Sequence, residues 1–247
     1  MHKRLALSIV LIMASFTYAL EDVCKKGIQT DQAYIIGYGS LMNKVSLSRS
    51  LPGHSELIPV EVSGFKRSLD LVADIVGLKT IFLAVHEDSG AKINAALIKV
   101  SANELQELDK REQGYCRQYV EPQALKLLVN KAYDKHLPAY IYTHSQESLS
   151  TKHETVEAAV VQSYIDVFLS GCIALEKDYS LKDFAKQCVS TTTGWADVTL
   201  INDRVFPRRP WVYQPKAMRI DQLLLDYNPK IIVNRRFEYD KSPESSS

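Results

Sequence analysis

Glu112 is the side chain whose surroundings best suit acid or base chemistry. It follows Leu105 and Leu108 at helical spacing, and Ser101 with Glu104 forms the S-x-x-E pattern that typically begins a helix. Residues three and four positions apart share one helix face, so this carboxylate falls on the apolar stripe that a soluble protein buries. Apolar surroundings raise the pKa of a carboxylate, which suits a general base.

The same stretch also allows a purely structural role for Glu112. Gly114 is expected to end the helix, which places Glu112 in its last turn. Lys110, Arg111 and Arg117 are close enough in sequence to form an ion pair with it. The residues alone leave both interpretations open.

A second stretch could bind an anion or a carbonyl oxygen. The apolar run at 33–36 stops abruptly at Gly37-Tyr-Gly39-Ser-Leu, which predicts a strand entering a tight loop. Without a Cβ, Gly37 and Gly39 can adopt positive φ and let successive N–H groups point into a small concavity. The alternative is a strand-to-turn junction with no ligand.

Together, the two stretches resemble the gamma-glutamylcyclotransferase family, especially its ChaC-like and AIG2-like branches. The resemblance rests on Tyr-Gly-Ser-Leu after a first strand and on Leu-Asp-Lys-Arg-Glu-x-Gly-Tyr after central strands. It covers roughly residues 34–173, including Gly-Phe-Lys-Arg at 64–67 and a predicted helix at 163–171. The last third of the chain extends beyond the minimal family domain.

The resemblance implies site residues as well as a fold. Glu112 would be the catalytic base, and Tyr119 would contact the substrate. The γ-glutamyl group would be bound by the loop residues Tyr38, Gly39, Ser40 and Leu41. The expected fold is α+β, a small mixed β-barrel with surrounding helices and a helical and loop-rich C-terminal extension, and the density of predicted strands favours the same class.

The implied activity is that of an enzyme that cyclises a γ-glutamyl group to 5-oxoproline. Glutathione or a γ-glutamyl amine or peptide would be the substrate, and the attached amine would be released. The substrate's own α-amine is the nucleophile, so the reaction requires no cofactor. The alternative is a catalytically inactive secreted domain of the same fold that binds a γ-glutamyl or carboxylate ligand, or a protein partner.

Composition limits the partners that the chain could have. It has 247 residues, of which 46% are hydrophobic, and a formal net charge of +1. The length and hydrophobic content suit one domain, and the charge argues against an extended surface for nucleic acid or anionic membrane. The six histidines show no metal-ligand spacing, so neither metal nor cofactor is predicted. A small-molecule γ-glutamyl substrate is the expected partner, and the oligomeric state is not indicated.

The beginning of the chain is typical of a secretory signal. A basic start, Met-His-Lys-Arg, precedes the apolar run 5–13, and small residues near Ala19 suit cleavage there. Residues 1–19 are therefore expected to be a signal peptide, and the protein is expected to be exported and to have no membrane contact afterwards. A single domain is predicted over 30–235, with its extension beginning near 176 and a disordered tail at 241–247.

Export makes disulfide bonds plausible. The chain has four cysteines, an even number, and three pairings are possible. Cys172 and Cys188 lie at the ends of neighbouring helical segments, and Cys24 lies in an N-terminal arm that could reach Cys116. At least one disulfide is expected, although the sequence does not decide the connectivity.

The remaining elements follow from periodicity and turn residues. Strands are predicted at 57–62, 65–72, 80–85, 93–100, 119–129 and 138–143, with a hairpin turn at Glu87-Asp-Ser-Gly90. Helices are predicted at 153–175, 181–189 and 220–227, and a short helix or a turn at 43–51. Tyr164 is interpreted as a core aromatic, with a position facing the pocket as the alternative. The loops at 191–195 and 202–211, which contain Arg, Pro and Trp, are interpreted as a packed support, with a contact to a second substrate carboxylate as the alternative.

Overall fold

Two long antiparallel strands, β2 (Ile58–Ile75) and β3 (Leu78–Ser101), occupy the centre of the computed structural model. The structure describes residues 30–53, 56–75, 78–112, 114–144, 158–208 and 216–237. β2 and β3 pair along almost their whole length, from Ile75 opposite Leu78 to Ile58 opposite Leu97. Both strands contain continuous runs of buried residues, 58–60 and 67–69 in β2 and 80–86 and 93–98 in β3, so this pair provides much of the core.

The other strands extend this pair into one mixed sheet of ten strands. They are β1 (Gln32–Gly37), β4 (Cys116–Val120), β5 (Leu125–Leu127), β6 (Ala139–Thr143), β7 (Ala159–Val161), β8 (Thr192–Thr193), β9 (Thr199–Asn202) and β10 (Arg236–Phe237). The main path runs β10-β9-β7-β3-β1-β6-β4, while β5 and β8 pair with β2. The α+β class and the mixed sheet are confirmed, but among the described residues the path is open and does not close into the expected barrel ring.

Six α-helices accompany the sheet in the described part of the chain. They are α1 (Lys44–Ser48), α2 (Ala102–Arg111), α3 (Gln162–Asp178), α4 (Phe184–Ser190), α5 (Ala217–Tyr227) and α6 (Pro229–Val233). α3 is buried along most of its length and packs against the segment that follows β1. None of the helices in the described ranges is both long and apolar enough to cross a membrane.

The predicted hairpin at 87–90 is wrong. β3 continues through this stretch, and its pairing with β2 jumps from Ser63 opposite Lys92 to Phe65 opposite Glu87. Residues 88–91 therefore form a wide bulge opposite Gly64, whose φ is +86°. The local turn signal is overridden because β2 pairs with β3 on both sides of the bulge. The predicted strands 80–85 and 93–100 therefore belong to one strand, β3, and the predicted strands 57–62 and 65–72 belong to β2.

The helix predicted at 153–175 begins later than expected. Residues 159–161 form β7, which pairs with β3 and β9, and α3 starts at Gln162. Val160 and Val161 are β-branched and fully buried, which suits a central strand. The C-terminal extension is likewise not only helices and loops, because it contributes β8, β9 and β10 to the sheet.

A disulfide bond joins α3 to α4. Cys172 and Cys188 form it, with their Cα atoms 6.6 Å apart, and both residues are fully buried. The expectation of at least one disulfide is thus confirmed. Cys116 is also disulfide-bonded. The expectations for Cys24, for the signal peptide at 1–19 and for the tail at 241–247 lie outside the described residues.

Candidate active site

A narrow cleft brings together the two stretches singled out from the sequence. It is lined by Glu112, Leu83, the tyrosines Tyr115, Tyr142 and Tyr164, and the four loop residues Tyr38, Gly39, Ser40 and Leu41. Its cavity volume is about 40 Å³, little more than the roughly 30 Å³ that one water molecule occupies in the liquid. A ligand larger than a water molecule would therefore extend towards the solvent or displace side chains of the lining.

The loop after β1 turns sharply back on itself. A Cβ at Gly37 would lie 2.9 Å from Leu41 Cβ, so only glycine fits there. The expectation of positive φ is wrong, since Gly39 has φ −135° and Gly37 is not among the positive-φ residues. Ser40 and Leu41 begin a short 3-10 helix, whose first N–H groups have no partner within the helix and can bind a ligand oxygen.

Glu112 is positioned by the end of α2. Ser101 and Glu104 form the predicted capping box at the start of this helix, and Leu105 and Leu108 are buried on its inner face. Glu112 lies immediately after the last helical residue, and its N–H donates to the Leu108 carbonyl at 2.8 Å. The helix thus aims the carboxylate into the cleft along the buried face that the sequence predicted.

Glu112 is both a buried carboxylate and an ion-pair partner, so its surroundings combine the two interpretations that the sequence left open. Its side chain is only 16% exposed, and burial raises the pKa of the carboxyl above the usual value for Glu. The Arg111 guanidinium offsets part of this rise, because its Nε lies 3.2 Å from Glu112 Oε1. The carboxylate is therefore both paired and more basic than an exposed one.

Arg111 connects Glu112 to the loop and to α1. Its guanidinium donates to Ser40 Oγ at 3.0 Å, to the Ser46 carbonyl at 2.8 Å and to Ser46 Oγ at 3.0 Å. From the sequence, Arg111 was only one of three possible ion-pair partners, while Lys110 and Arg117 in fact pair with Glu107 and Asp109. Arg111 therefore fixes Glu112 and the loop from Tyr38 to Leu41 relative to each other.

Arg67 holds the same loop through a second contact. It is fully buried, and one of its Nη atoms donates to the Tyr38 carbonyl and to the Asn94 carbonyl, both at 3.0 Å. The other Nη donates to Asn94 Oδ1 and to the Cys188 carbonyl, and the cation lies 4.8 Å above the Phe168 ring. Burial lowers the pKa of Arg67 to about 9. In the sequence, Arg67 stands out only as part of the Gly-Phe-Lys-Arg motif, because no local pattern indicates contacts with residues so far along the chain.

Three tyrosines form the remaining wall. Tyr115 donates its hydroxyl proton to the Leu83 carbonyl at 3.2 Å, and the Leu83 N–H donates to the Tyr164 hydroxyl at 3.0 Å. Tyr142 donates to Asp109 Oδ1 at 2.8 Å. Burial raises the pKa of Tyr115 and Tyr142, so both stay neutral at physiological pH. Tyr164 is buried, as expected for a core aromatic, and it also lines the cleft, in agreement with the alternative.

Tyr119 is not among the residues that line the cleft. It lies in β4, where its side chain is exposed and its ring makes an edge contact with Tyr140 at a centroid distance of 6.1 Å. The structure therefore brings together Glu112 and the loop from Tyr38 to Leu41, and leaves Tyr119 at the surface.

The described residues offer no obvious metal ligands. Within the ranges that the structure describes, no three or more His, Cys, Asp or Glu side chains lie close enough together to hold a metal ion. The cleft itself contains one carboxylate and the aromatic hydroxyls, which can transfer or donate protons.

Sequence comparisons match no family model and no curated protein. Among solved structures, an uncharacterised human protein aligns at 13% identity with a TM-score of 0.48, over 67% of this chain and 90% of its own. A gamma-glutamyl cyclotransferase aligns at 12% identity and TM-score 0.47, over 66% and 89%. A yeast gamma-glutamyl cyclotransferase specific to glutathione aligns at 14% and 0.40, over 66% and 96%.

These comparisons show a partial similarity of the backbone structure, and they assign no activity. Gamma-glutamyl cyclotransferases are among the solved structures to which this chain is similar.

Proposed function

We propose that this protein is a gamma-glutamylcyclotransferase-type enzyme that converts a γ-glutamyl compound to 5-oxoproline and a free amine. The observation that carries this proposal is the Glu112 carboxylate, mostly buried and raised in pKa, in one cleft with the loop from Tyr38 to Leu41. A base and a set of N–H donors are the two components that such a cyclisation requires, and Glu112 and the loop could supply them from one cleft.

The reaction proceeds without an enzyme nucleophile. Glu112 takes a proton from the substrate's α-ammonium, and the free amine attacks the γ-carbonyl carbon to form the five-membered ring. The carboxylic acid of Glu112 gives this proton to the attached nitrogen as the bond between that nitrogen and the γ-carbon breaks. The ring nitrogen also loses the second proton that it carries after attack, and the released amine takes this proton up as an ammonium. Intramolecular attack has a high effective molarity, so the protein mainly holds the folded conformer and moves the proton.

The loop supplies the electrostatic stabilisation in this proposal. The N–H groups of Ser40 and Leu41 would bind substrate oxygens, including the one that becomes negatively charged during attack. Arg111 and Arg67 hold the loop through Ser40 Oγ and the Tyr38 carbonyl, so these donors are fixed before the substrate binds. Because the cavity is small, substrate binding is expected to open the cleft, as often occurs before chemistry.

The compartment belongs to the same proposal. Structural disulfides are typical of exported proteins, and the Cys172–Cys188 bond agrees with an oxidising environment. Together with the basic and apolar start of the sequence, this supports export. The substrate would then be a γ-glutamyl compound outside the cytosol.

The decisive experiment is a direct assay for 5-oxoproline. Purified protein is incubated, without metal or nucleotide, with glutathione, γ-glutamyl dipeptides and γ-glutamyl-ε-lysine. Release of 5-oxoproline from at least one of them is expected. If none is turned over, calorimetry with the same compounds tests the alternative, a domain that binds a γ-glutamyl or carboxylate ligand without turnover.

A further inference from the structure

A second cavity, separate from the Glu112 cleft, lies in the C-terminal part of the sheet. Its volume is about 600 Å³, and it shares no lining residue with the cleft. It is bounded by β7, by the segment 195–200 that leads into β9, by α6 and by β10. Most of these elements belong to the C-terminal extension, which begins near residue 176 and contributes no residue to the Glu112 cleft.

One wall of this cavity is apolar and fixed. Its side chains are buried, and they are Val160, Trp195, Leu200 and Ile231. The Trp195 indole N–H donates to the Val189 carbonyl at 3.0 Å, which sets the orientation of the ring. A rigid apolar wall of this kind can accept the hydrocarbon or aromatic part of a small ligand.

The rim of the cavity is polar, and positive charge predominates. Lys230 and Arg236 line it together with one carboxylate, that of Asp197, and the amide of Asn234. Lys230 is exposed, and with the described residues its ammonium forms no ion pair and no side-chain hydrogen bond. The same holds for the side-chain amide of Asn234, so both can bind a ligand.

We propose that this second cavity binds an organic anion with an apolar body. The apolar part would lie against Trp195, and the anionic group would face Lys230 and Arg236. The volume is within the range of about 300–1,000 Å³ that is usual for small-molecule sites. Because no residue is shared with the cleft, this inference does not depend on the proposed cyclisation.

The probe for this site is anilinonaphthalene sulfonate, an aromatic anion whose fluorescence rises when it binds an apolar surface. We expect saturable binding at one site per full-length chain. Lys230→Glu should weaken the binding about three- to tenfold, since one partly exposed charge is reversed. Lys230 is exposed, so this variant is expected to fold. Asp197→Asn should leave the affinity unchanged or raise it, because it removes a repelling carboxylate.

Two controls make the result decisive. Lys182→Glu reverses an exposed charge elsewhere in the extension and should leave the affinity unchanged. Displacement with 4-phenylbutyrate and 4-phenylbutylamine compares one apolar body with opposite charges, and only the acid should displace the probe effectively. The proposal is overturned if the two lysine variants weaken binding equally, if Asp197→Asn weakens it, or if the amine displaces the probe as well as the acid does.

Discussion

At the scale of single residues, the sequence predicted which carboxylate lies on the buried face of α2, but not the contacts that hold it there. Glu112 could be predicted because capping and helix periodicity are local signals, and both place it on the buried face of α2. The contacts of Arg111 with Ser40 and Ser46 join residues that are more than sixty positions apart. No local pattern reports such a contact, and the same is true of the bond from Arg67 to the Tyr38 carbonyl.

The most direct residue-scale prediction concerns the base itself. Glu112→Gln keeps the shape and hydrogen-bonding capacity of the side chain but cannot accept a proton. We expect kcat for 5-oxoproline release to fall by about 10²–10⁴, the usual contribution of a positioned acid–base group, with substrate binding retained. Steady-state kinetics and calorimetry measure the two quantities. If this variant turned over substrate as fast as wild type, the role of Glu112 would be only that of a structural ion-pair partner.

The raised pKa of Glu112 also predicts how stability depends on pH. Burial makes ionisation of this carboxyl unfavourable in the folded protein, so its folded-state pKa is above its unfolded value. The cost is absent below the unfolded pKa, about 4.3, and grows as the pH rises through the folded pKa. Thermal unfolding of Glu112→Gln should match wild type near pH 4 and occur at a higher temperature near pH 7. The opposite order at pH 7 would contradict the prediction.

Removing Arg111 should change the pH profile of activity. Its guanidinium lowers the pKa of Glu112, so Arg111→Met should move the acidic limb of kcat/KM to higher pH. The KM should also rise, since the bond to Ser40 is lost. Lys110→Met is the matched control, because Lys110 is exposed and pairs with Glu107 at the surface. An acidic limb that stays in place in Arg111→Met would exclude the proposed coupling.

At the scale of elements, the sequence predicted those helix ends that are set by residues at the end itself. The start of α2 at its capping box and the stop of α5 before Asn228-Pro229 were both predicted. The hairpin at 87–90 was not, because the register of β3 is set by its long-range partner β2 rather than by the turn residues. The strand β7 was missed for the same reason, since three residues carry too little periodicity to be recognised without β9.

The packing of α3 against the binding loop can be tested at Gly171. A Cβ there would lie 2.8 Å from the Met42 carbonyl, a backbone contact that cannot rotate away. Gly171→Ala should therefore destabilise the protein by about 1–3 kcal/mol and lower activity, because Met42 directly follows Leu41. Gly90→Ala is the control, since its nearest atom would be Asp88 Oδ1 at 3.6 Å. Equal melting temperatures for both variants would show that the helix is free to shift.

At the scale of the whole molecule, the extension is connected to the site through the core. The Cys188 carbonyl accepts a hydrogen bond from Arg67, and Arg67 in turn holds the Tyr38 carbonyl. The disulfide between Cys172 and Cys188 therefore stabilises a segment that supports the binding loop. Composition could predict a disulfide, but not that it would lie behind the proposed site.

Removing this disulfide should affect both stability and catalysis. The bond closes a loop with a sequence separation of 16, so Cys172→Ala with Cys188→Ala should cost roughly 3 kcal/mol. The KM should rise as well, because Arg67 loses a fixed acceptor, whereas a disulfide that acted only on the unfolded chain would leave the kinetics of the folded protein unchanged.

Both sulfurs of the Cys172–Cys188 disulfide are buried, so alkylation should require unfolding as well as a reductant. Mass analysis of protein from its native compartment should find this pair oxidised and the chain beginning near residue 20. Free thiols at both positions in that material would contradict export and the disulfide together.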